Sequence, residues 1–161
     1  MHTPATPLPH AIDSRETAAL PCIVIDTQVV MDWLVFHDPR VAALTAAIEA
    51  NRVRWVVAPA MRDEIRHVLG RGVAARYSPD LTAIEAAFDT HAETIDTIPA
   101  QPLAGRLVCR DPDDQKFIDL ALAVGARWLI SRDKAVLALA KRALPRGLRI
   151  VKPEALQLPD A

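Results

Sequence analysis

The sequence predicts an α/β domain in which two layers of helices enclose a central parallel sheet. Short apolar runs rich in branched residues alternate along the chain with longer segments of helical periodicity, which is the order that parallel sheets require. The chain has 161 residues and is 51% hydrophobic, so it is long enough for one domain with a substantial core and leaves little room for a second.

Four segments have the composition of strands that are buried on both faces. Each is short, apolar and rich in Ile, Val, Leu or Trp, and turn or helix signals follow it. They are "PCIVID", "RVRWVVA", "ARWLIS" and "GLRIV", at residues 21–26, 52–58, 126–131 and 147–151.

The segments between these strands carry helix signals. "TQVVMDWLVF" continues from the first strand as a helix, and "DPRVAALTAAIEAN" begins with Asp38 as N-cap and Pro39 at the first helical position. "PAMRDEIRHVLG" is a helix that ends at Gly70. "SPDLTAIEAAFDTHAETI" places Leu81 and Ile95 on one apolar face, which predicts a helix that reaches residue 95.

Two further helices are predicted in the C-terminal half. In "DPDDQKFIDLALAVG", Asp111 is the N-cap, Pro112 opens the helix and Gly125 ends it. "RDKAVLALAKRAL" is a single helix between the last two predicted strands.

Charge and cysteine content exclude several classes of protein. The net charge is −1, so no global basic field holds nucleic acid and any such binding requires a local patch. Cys22 and Cys109 have neither metal-ligand spacing nor a disulfide framework, which is typical of thiols in a reducing cytosol. A cytoplasmic protein is expected. There is no apolar run near the ~18 residues of a membrane helix.

The N-terminal segment differs in composition from the rest. Pro4, Pro7 and Pro9 occur there with charged residues and without an apolar core, so it is not a signal peptide. We therefore expect a flexible tail at residues 1–20 and the folded domain at residues 21–158.

Acidic residues follow two of the predicted strands. Asp26 ends "CIVID" and Asp133 follows "RWLIS", so both carboxylates should lie at the edge of the sheet where parallel folds bind ligands. The alternative for each is a purely structural one, since Asp is a favoured helix N-cap.

Two more acidic positions point toward the same edge. Glu64 lies within the apolar stripe of its helix, where a charge is costly unless it is paired or ligates a metal. Asp114 lies on the side of its helix that faces the domain, whereas Asp113 should face solvent. The helix dipole alone could explain acidic residues at this helix start. If the carboxylates converge, a hard cation such as Mg²⁺ or Mn²⁺ would relieve their repulsion.

Other chemistries fit the sequence less well. The five glycines form no phosphate-binding loop, and the Glu64-x-x-His67 spacing of a di-iron site has no second copy. The tryptophans lie in apolar segments and are predicted to pack in the core rather than to stack on bases; they are Trp33, Trp55 and Trp128.

Four stretches together resemble the PIN-domain nucleases. They are "IVIDTQVV", "PAMRDEIRHVL", "DPDDQKFIDLALAVGARWLISRDKAVLAL" and "GLRIVKPEAL", and the similarity runs from about residue 21 to residue 156. The most specific part is the Asp-Pro-Asp-Asp block with the Ser-x-Asp-Lys strand end. The branch that the chain most resembles contains toxins of toxin–antitoxin pairs.

The resemblance implies a PIN-like three-layer α/β/α sandwich and an endoribonuclease that depends on Mg²⁺ or Mn²⁺. The family's acidic positions correspond here to Asp26, Glu64, Asp114 and Asp133, which would bind the metal and activate water, and Asp111 would assist or cap. It also implies an RNA substrate, a small antitoxin that covers the acidic pocket, and in many cases a homodimer.

Three residues near these carboxylates are candidates for contacts with the substrate. Arg132 and Lys134 flank Asp133 and could hold phosphate oxygens. Gln28 stands where the family usually has Asn, and its extra methylene would displace a bond that orients Asp26 or its water. Arg62 and Arg66 are also close to the predicted site, although a solvated helix face explains them equally well.

Two competing functions remain. A PIN-like module that binds RNA or protein without efficient cleavage is favoured by Gln28. A receiver-like phospho-acceptor domain would need an aspartate at the end of the middle strand, which the sequence suggests to be "RWVVAPA", where there is none.

Overall fold

The computed structural model describes residues 20–158, so the tail predicted for residues 1–20 lies, except for Leu20, outside the described residues. Five parallel strands form one sheet within this range. They are β1 (Cys22–Ile25), β2 (Arg54–Val57), β3 (Ala92–Thr94), β4 (Trp128–Ile130) and β5 (Arg149–Val151).

The sheet has the order β3-β2-β1-β4-β5, which makes β1 its central strand. Ile23 lies opposite Trp55 on one side and Trp128 on the other. The central strand is therefore "CIVI", and the expectation that "RWVVAPA" is the middle strand is wrong. An aspartate, Asp26, does follow the middle strand.

Seven α-helices within residues 20–158 cover the sheet and give the α/β/α sandwich predicted from the sequence. They are α1 (Thr27–Leu34), α2 (Ala42–Glu49), α3 (Pro59–Gly70), α4 (Leu81–His91), α5 (Gln115–Ala123), α6 (Lys134–Leu137) and α7 (Ala140–Ala143). Short 3₁₀ turns precede two of them: Pro39–Val41 before α2 and Pro112–Asp114 before α5.

The segment after α4 departs from the predicted helix. The helix ends at His91, and Ala92–Thr94 form β3, which pairs with β2. The amide of Ile95 then donates to the carbonyl of Val57 at 2.8 Å. Edge pairing thus satisfies backbone groups that a longer helix would have bonded internally, while Ile95 still packs against the core.

The segment between β4 and β5 also differs from the prediction of one continuous helix. It forms α6 and α7, because the Leu139 amide bonds the Val136 carbonyl at 3.0 Å in a tighter turn. Both side chains remain buried, with 0% of Val136 and 2% of Leu139 exposed.

The core contains the aromatic residues expected there. Trp55 and Trp128 are buried, and the partly buried Trp33 packs on Trp55 with ring centroids 5.4 Å apart. Cys22 and Cys109 are free and buried, and burial raises the pKa of the Cys22 thiol to about 11. In residues 20–158, no helix has the length and apolar character needed to cross a bilayer.

Candidate metal centre

The carboxyl ends of β1 and β4 bring two predicted site residues to one edge of the sheet. The strands are paired through Ile25 and Ile130, and the Asp26 amide donates to the Ile130 carbonyl at 3.0 Å. Beyond the end of β4, the chain continues through Ser131 and Arg132 to Asp133, which is the N-cap of α6. The parallel alignment therefore places Asp26 and Asp133 near each other although they are far apart in sequence.

The turn before α5 supplies the other carboxylates. Helix α5 packs against β1 and β4, which brings the preceding Pro112–Asp114 turn to the same edge. One oxygen each from Asp111, Asp114 and Asp133 lie within 4.8 Å of one another. Within the described residues this is the group of carboxylates that is compact enough to share an ion.

Two members of this cluster also cap helical turns. Asp133 Oδ1 accepts the amides of Ala135 and Val136 at 2.8 and 3.2 Å, and Asp111 Oδ1 accepts the Asp113 amide at 3.0 Å. The capping alternative and the ligand reading are thus compatible, because a cap needs only one of the two carboxylate oxygens. The caps hold both side chains in place at the sheet edge.

Asp26 is the most buried of the predicted site carboxylates, with 4% of its surface exposed. Its Oδ1 accepts the Val29 amide at 2.9 Å, and its Oδ2 accepts a hydrogen bond from the Ser131 hydroxyl. Burial raises the pKa of Asp26 to about 6, the charge of Asp133 adds to the rise, and the bonds from Ser131 and Val29 oppose it. At mildly acidic pH the Asp26 carboxyl is therefore largely protonated and uncharged.

Asp114 shows that the charges of the cluster act on one another. Burial, followed by the charges of Asp133, Asp111 and Asp26, raises the pKa of Asp114 to about 6. The ammonium of Lys116 acts in the opposite direction. A divalent cation at this position would offset the repulsion among these carboxylates, which contributes to the raised pKa of Asp114.

Glu64 lies outside the three-carboxylate cluster. Its Oε2 accepts the Thr27 hydroxyl at 2.6 Å and pairs with Lys116 Nζ at 3.1 Å. The sequence reasoning missed both partners. A signal for them was available, because Thr27 directly follows Asp26 and Lys116 lies two residues after Asp114.

The three candidate substrate residues differ in their surroundings. The Gln28 amide donates to Asp32 Oδ1 at 3.0 Å and not to Asp26. Arg132 Nε donates to Asp32 Oδ2 at 2.8 Å, and its Nη1 pairs with Glu154 at 2.7 Å, so the side chain is only 16% exposed. Lys134 is exposed at the start of α6.

Arginines on α3 also have partners in the structure. Arg62 pairs with Glu85 and Asp89, and Arg66 pairs with Glu85 and Asp63. The pairs with Glu85 and Asp89 join α3 to α4, whereas the pair with Asp63 lies within α3. Together they explain both arginines without a substrate.

The fold and the cluster define a class: an α/β domain whose parallel sheet carries an acidic group at its carboxyl edge that is able to bind a divalent metal. The sequence model of the PIN domain matches residues 22–135, which is most of the chain. The chain therefore belongs to the PIN-domain family, whose members are generally metal-dependent nucleases. The chain has no significant match among curated proteins.

The residues of the cluster fit the metal that the family uses. All three donors are carboxylates, and no His or Cys belongs to the group. Oxygen-only donor sets suit Mg²⁺ and Mn²⁺ rather than softer metals. The matched region also contains Asp26 and Glu64.

Proposed function

We propose that this chain is a Mg²⁺- or Mn²⁺-dependent endoribonuclease that hydrolyses RNA phosphodiester bonds. One observation carries the proposal: a chain of the PIN family has three carboxylates within 4.8 Å of one another at the carboxyl edge of its parallel sheet. Asp111, Asp114 and Asp133 would hold the ion, and Asp26 and Glu64 complete the acidic surroundings.

A divalent ion bound there would supply an activated water and neutralise the charge that develops on the leaving oxygen. The chain's own residues prepare the site for it. Ser131 and the Val29 amide hold Asp26 in one orientation, and the helix caps do the same for Asp111 and Asp133. The exposed ammonium of Lys134 is suited to a phosphate oxygen, and no side chain has to act as nucleophile.

The narrower biological role follows from the resemblance of the sequence. We propose a cytoplasmic toxin of a toxin–antitoxin pair, inhibited by a small protein that covers the acidic edge. Homodimerisation is part of this proposal. Substrate contacts are assigned to Lys134, and Arg132 and Gln28 remain candidates that would first have to give up their bonds to Asp32.

The activity is tested by incubating purified protein with a structured RNA in Mn²⁺ and, in parallel, in EDTA. Asp114→Asn removes a ligand charge, and Asp113→Asn is the matched control, since this neighbouring side chain is exposed and outside the cluster. We expect cleavage by wild type and Asp113→Asn only with metal, and none by Asp114→Asn. Retention of RNA without cleavage by any protein would favour the binding module instead.

The toxin role is tested separately in a bacterial host. Induced wild type should arrest growth, Asp114→Asn should not, and co-expression of a small antitoxin, sought among the genes beside this one, should restore growth. If wild type and Asp114→Asn arrested growth to the same extent, that result would contradict a toxin that acts by cleavage.

A further inference from the structure

A fixed ammonium occupies the side of the candidate centre where Glu64 lies. Lys116 Nζ is 3.1 Å from Glu64 Oε2. The same nitrogen donates to the Asp113 carbonyl and lies 4.9 Å from the centre of the Phe117 ring. Three contacts therefore hold the charge at the start of α5.

The Glu64 oxygen that pairs with Lys116 is already satisfied. Its Oε2 accepts the Thr27 hydroxyl at 2.6 Å in addition to the ammonium. An ion that bound through Oε2 would have to compete with both partners, and one that bound through Oε1 would lie beside the Lys116 ammonium. Both side chains of the pair are 26% exposed, so solvent and an ion can reach it.

The charge distribution explains what the ammonium does. Asp111, Asp114 and Asp133 can share one ion, and the predicted ligands Asp26 and Glu64 are left outside that group. Asp26 accepts hydrogen bonds from Ser131 and the Val29 amide, whereas Glu64 pairs with an ammonium. Nucleases with two metals use the second ion to stabilise an additional oxygen of the reacting phosphate. Here a lysine contributes positive charge beside Glu64 without the loss of translational freedom and hydration that binding a second ion costs.

We propose that Lys116 takes the place of a second divalent ion at Glu64, so that the centre binds a single Mg²⁺ or Mn²⁺ at Asp111, Asp114 and Asp133. Lys116 is then a positioning residue that sets the number of metals. The inference rests on the metal centre of the proposed function, but not on the cleavage of RNA.

The test is the number of Mn²⁺ ions bound per chain in the absence of RNA. Titration calorimetry gives the stoichiometry, and electron paramagnetic resonance of the unbound Mn²⁺ counts it independently. We expect one ion for wild type, two for Lys116→Met, and one for Lys116→Arg, the matched control that keeps the charge. Adding Glu64→Gln to Lys116→Met should return the number to one.

Circular dichroism of each metal-free protein checks the fold, and Lys116→Gln is made in parallel so that the result does not rest on one variant. Two ions in wild type, or one ion in both uncharged Lys116 variants, would overturn the proposal. One ion in those variants together with weaker RNA binding would make Lys116 a phosphate contact instead.

The outcomes separate this inference from the proposed function. A wild-type protein that binds one ion and cleaves no RNA refutes the nuclease and leaves the role of Lys116 standing. A wild-type protein that cleaves RNA with two bound ions refutes only the role of Lys116. A wild-type protein that binds no ion refutes both.

Discussion

The Ser131 hydroxyl donates a hydrogen bond to Asp26 Oδ2 across a separation of 105 residues. The same hydroxyl oxygen accepts the Asp133 amide at 3.0 Å. Ser131 is fully buried, so water does not compete for either bond. One hydroxyl group thus joins the ends of the adjacent strands β1 and β4 and fixes Asp26 relative to the backbone of Asp133.

Ser131→Ala should destabilise the protein. The substitution removes the hydroxyl donor to Asp26 Oδ2 and the hydroxyl acceptor of the Asp133 amide, both buried, which we expect to cost ~1–3 kcal/mol. Urea unfolding at pH 7 in metal-stripped buffer measures the loss. Thr82→Ala is the control, because it removes a hydroxyl group from an exposed position and should change the free energy of unfolding little. Equal effects of the two variants would mean that the Ser131 bonds contribute nothing net.

Asp114→Asn should not destabilise the metal-free protein and should abolish its response to metal. The charges of Asp133, Asp111 and Asp26 all disfavour ionised Asp114, so a neutral amide relieves repulsion worth on the order of one to a few kcal/mol per pair. Mn²⁺ at a hundredfold its Kd should stabilise wild type by ~2.7 kcal/mol. Thermal melts of both proteins in EDTA and in excess Mn²⁺ measure this.

The capping explanation of these aspartates predicts the opposite result for the same four melts. Asp114→Asn would then cost a little stability, and Mn²⁺ would shift neither melting temperature. Asp113→Asn serves again as control and should respond to Mn²⁺ like wild type.

The stability of the metal-free protein should depend on pH through Asp26 and Asp114. Both have a pKa of about 6 when folded, while an aspartate in the unfolded chain titrates near 3.9. Between about pH 4 and pH 6 the folded chain therefore holds more protons, and stability falls as pH rises through this window. Above it the loss is complete and constant.

The difference between wild type and Asp114→Asn isolates this effect from other carboxylates. One of these is Asp38, where hydrogen bonds from Arg40 lower the pKa to about 2 and act in the opposite sense. We expect the melting temperature of Asp114→Asn to rise relative to wild type from pH 4 to pH 6.5 in metal-stripped buffer. Parallel curves would show that Asp114 titrates normally.

Substitutions of Arg132 and Lys134 should affect different properties: the first should lower stability and the second should weaken RNA binding. Arg132→Ala leaves the carboxylate of Asp32, which is 5% exposed, without its ion partner, and we expect a loss of ~3–5 kcal/mol in urea unfolding. Lys134→Ala should change stability by less than ~0.5 kcal/mol. It should weaken RNA binding and lower the slope of log K against log salt by about 1. A stable Arg132→Ala variant with weak RNA binding would make Arg132 a substrate residue.

Much of the fold could be predicted because it follows from local patterns. The runs that form β1, β2, β4 and β5 are mostly apolar, with arginine only at the first position of β2 and β5, and this indicates strands that helices cover on both faces. Strand β3 could not be found in this way. Its residues Ala92–Thr94 are mostly exposed and continue a helical pattern, and they become a strand only because the edge of β2 offers hydrogen-bond partners.

The sequence alone determined that Asp26 and Asp133 lie at one edge of a parallel sheet, because Asp26 directly follows one buried strand and Asp133 lies three residues past the end of another. Tertiary structure decided which side chains meet there. Asp111 lies close to Asp114 and Asp133. Glu64 pairs with Lys116, and Arg132 pairs with Asp32. Periodicity shows which face of an element is buried. The partner of a charged side chain depends instead on which oppositely charged group lies close to it in three dimensions. The distances between their charged atoms depend on how α3, α5 and the sheet pack together.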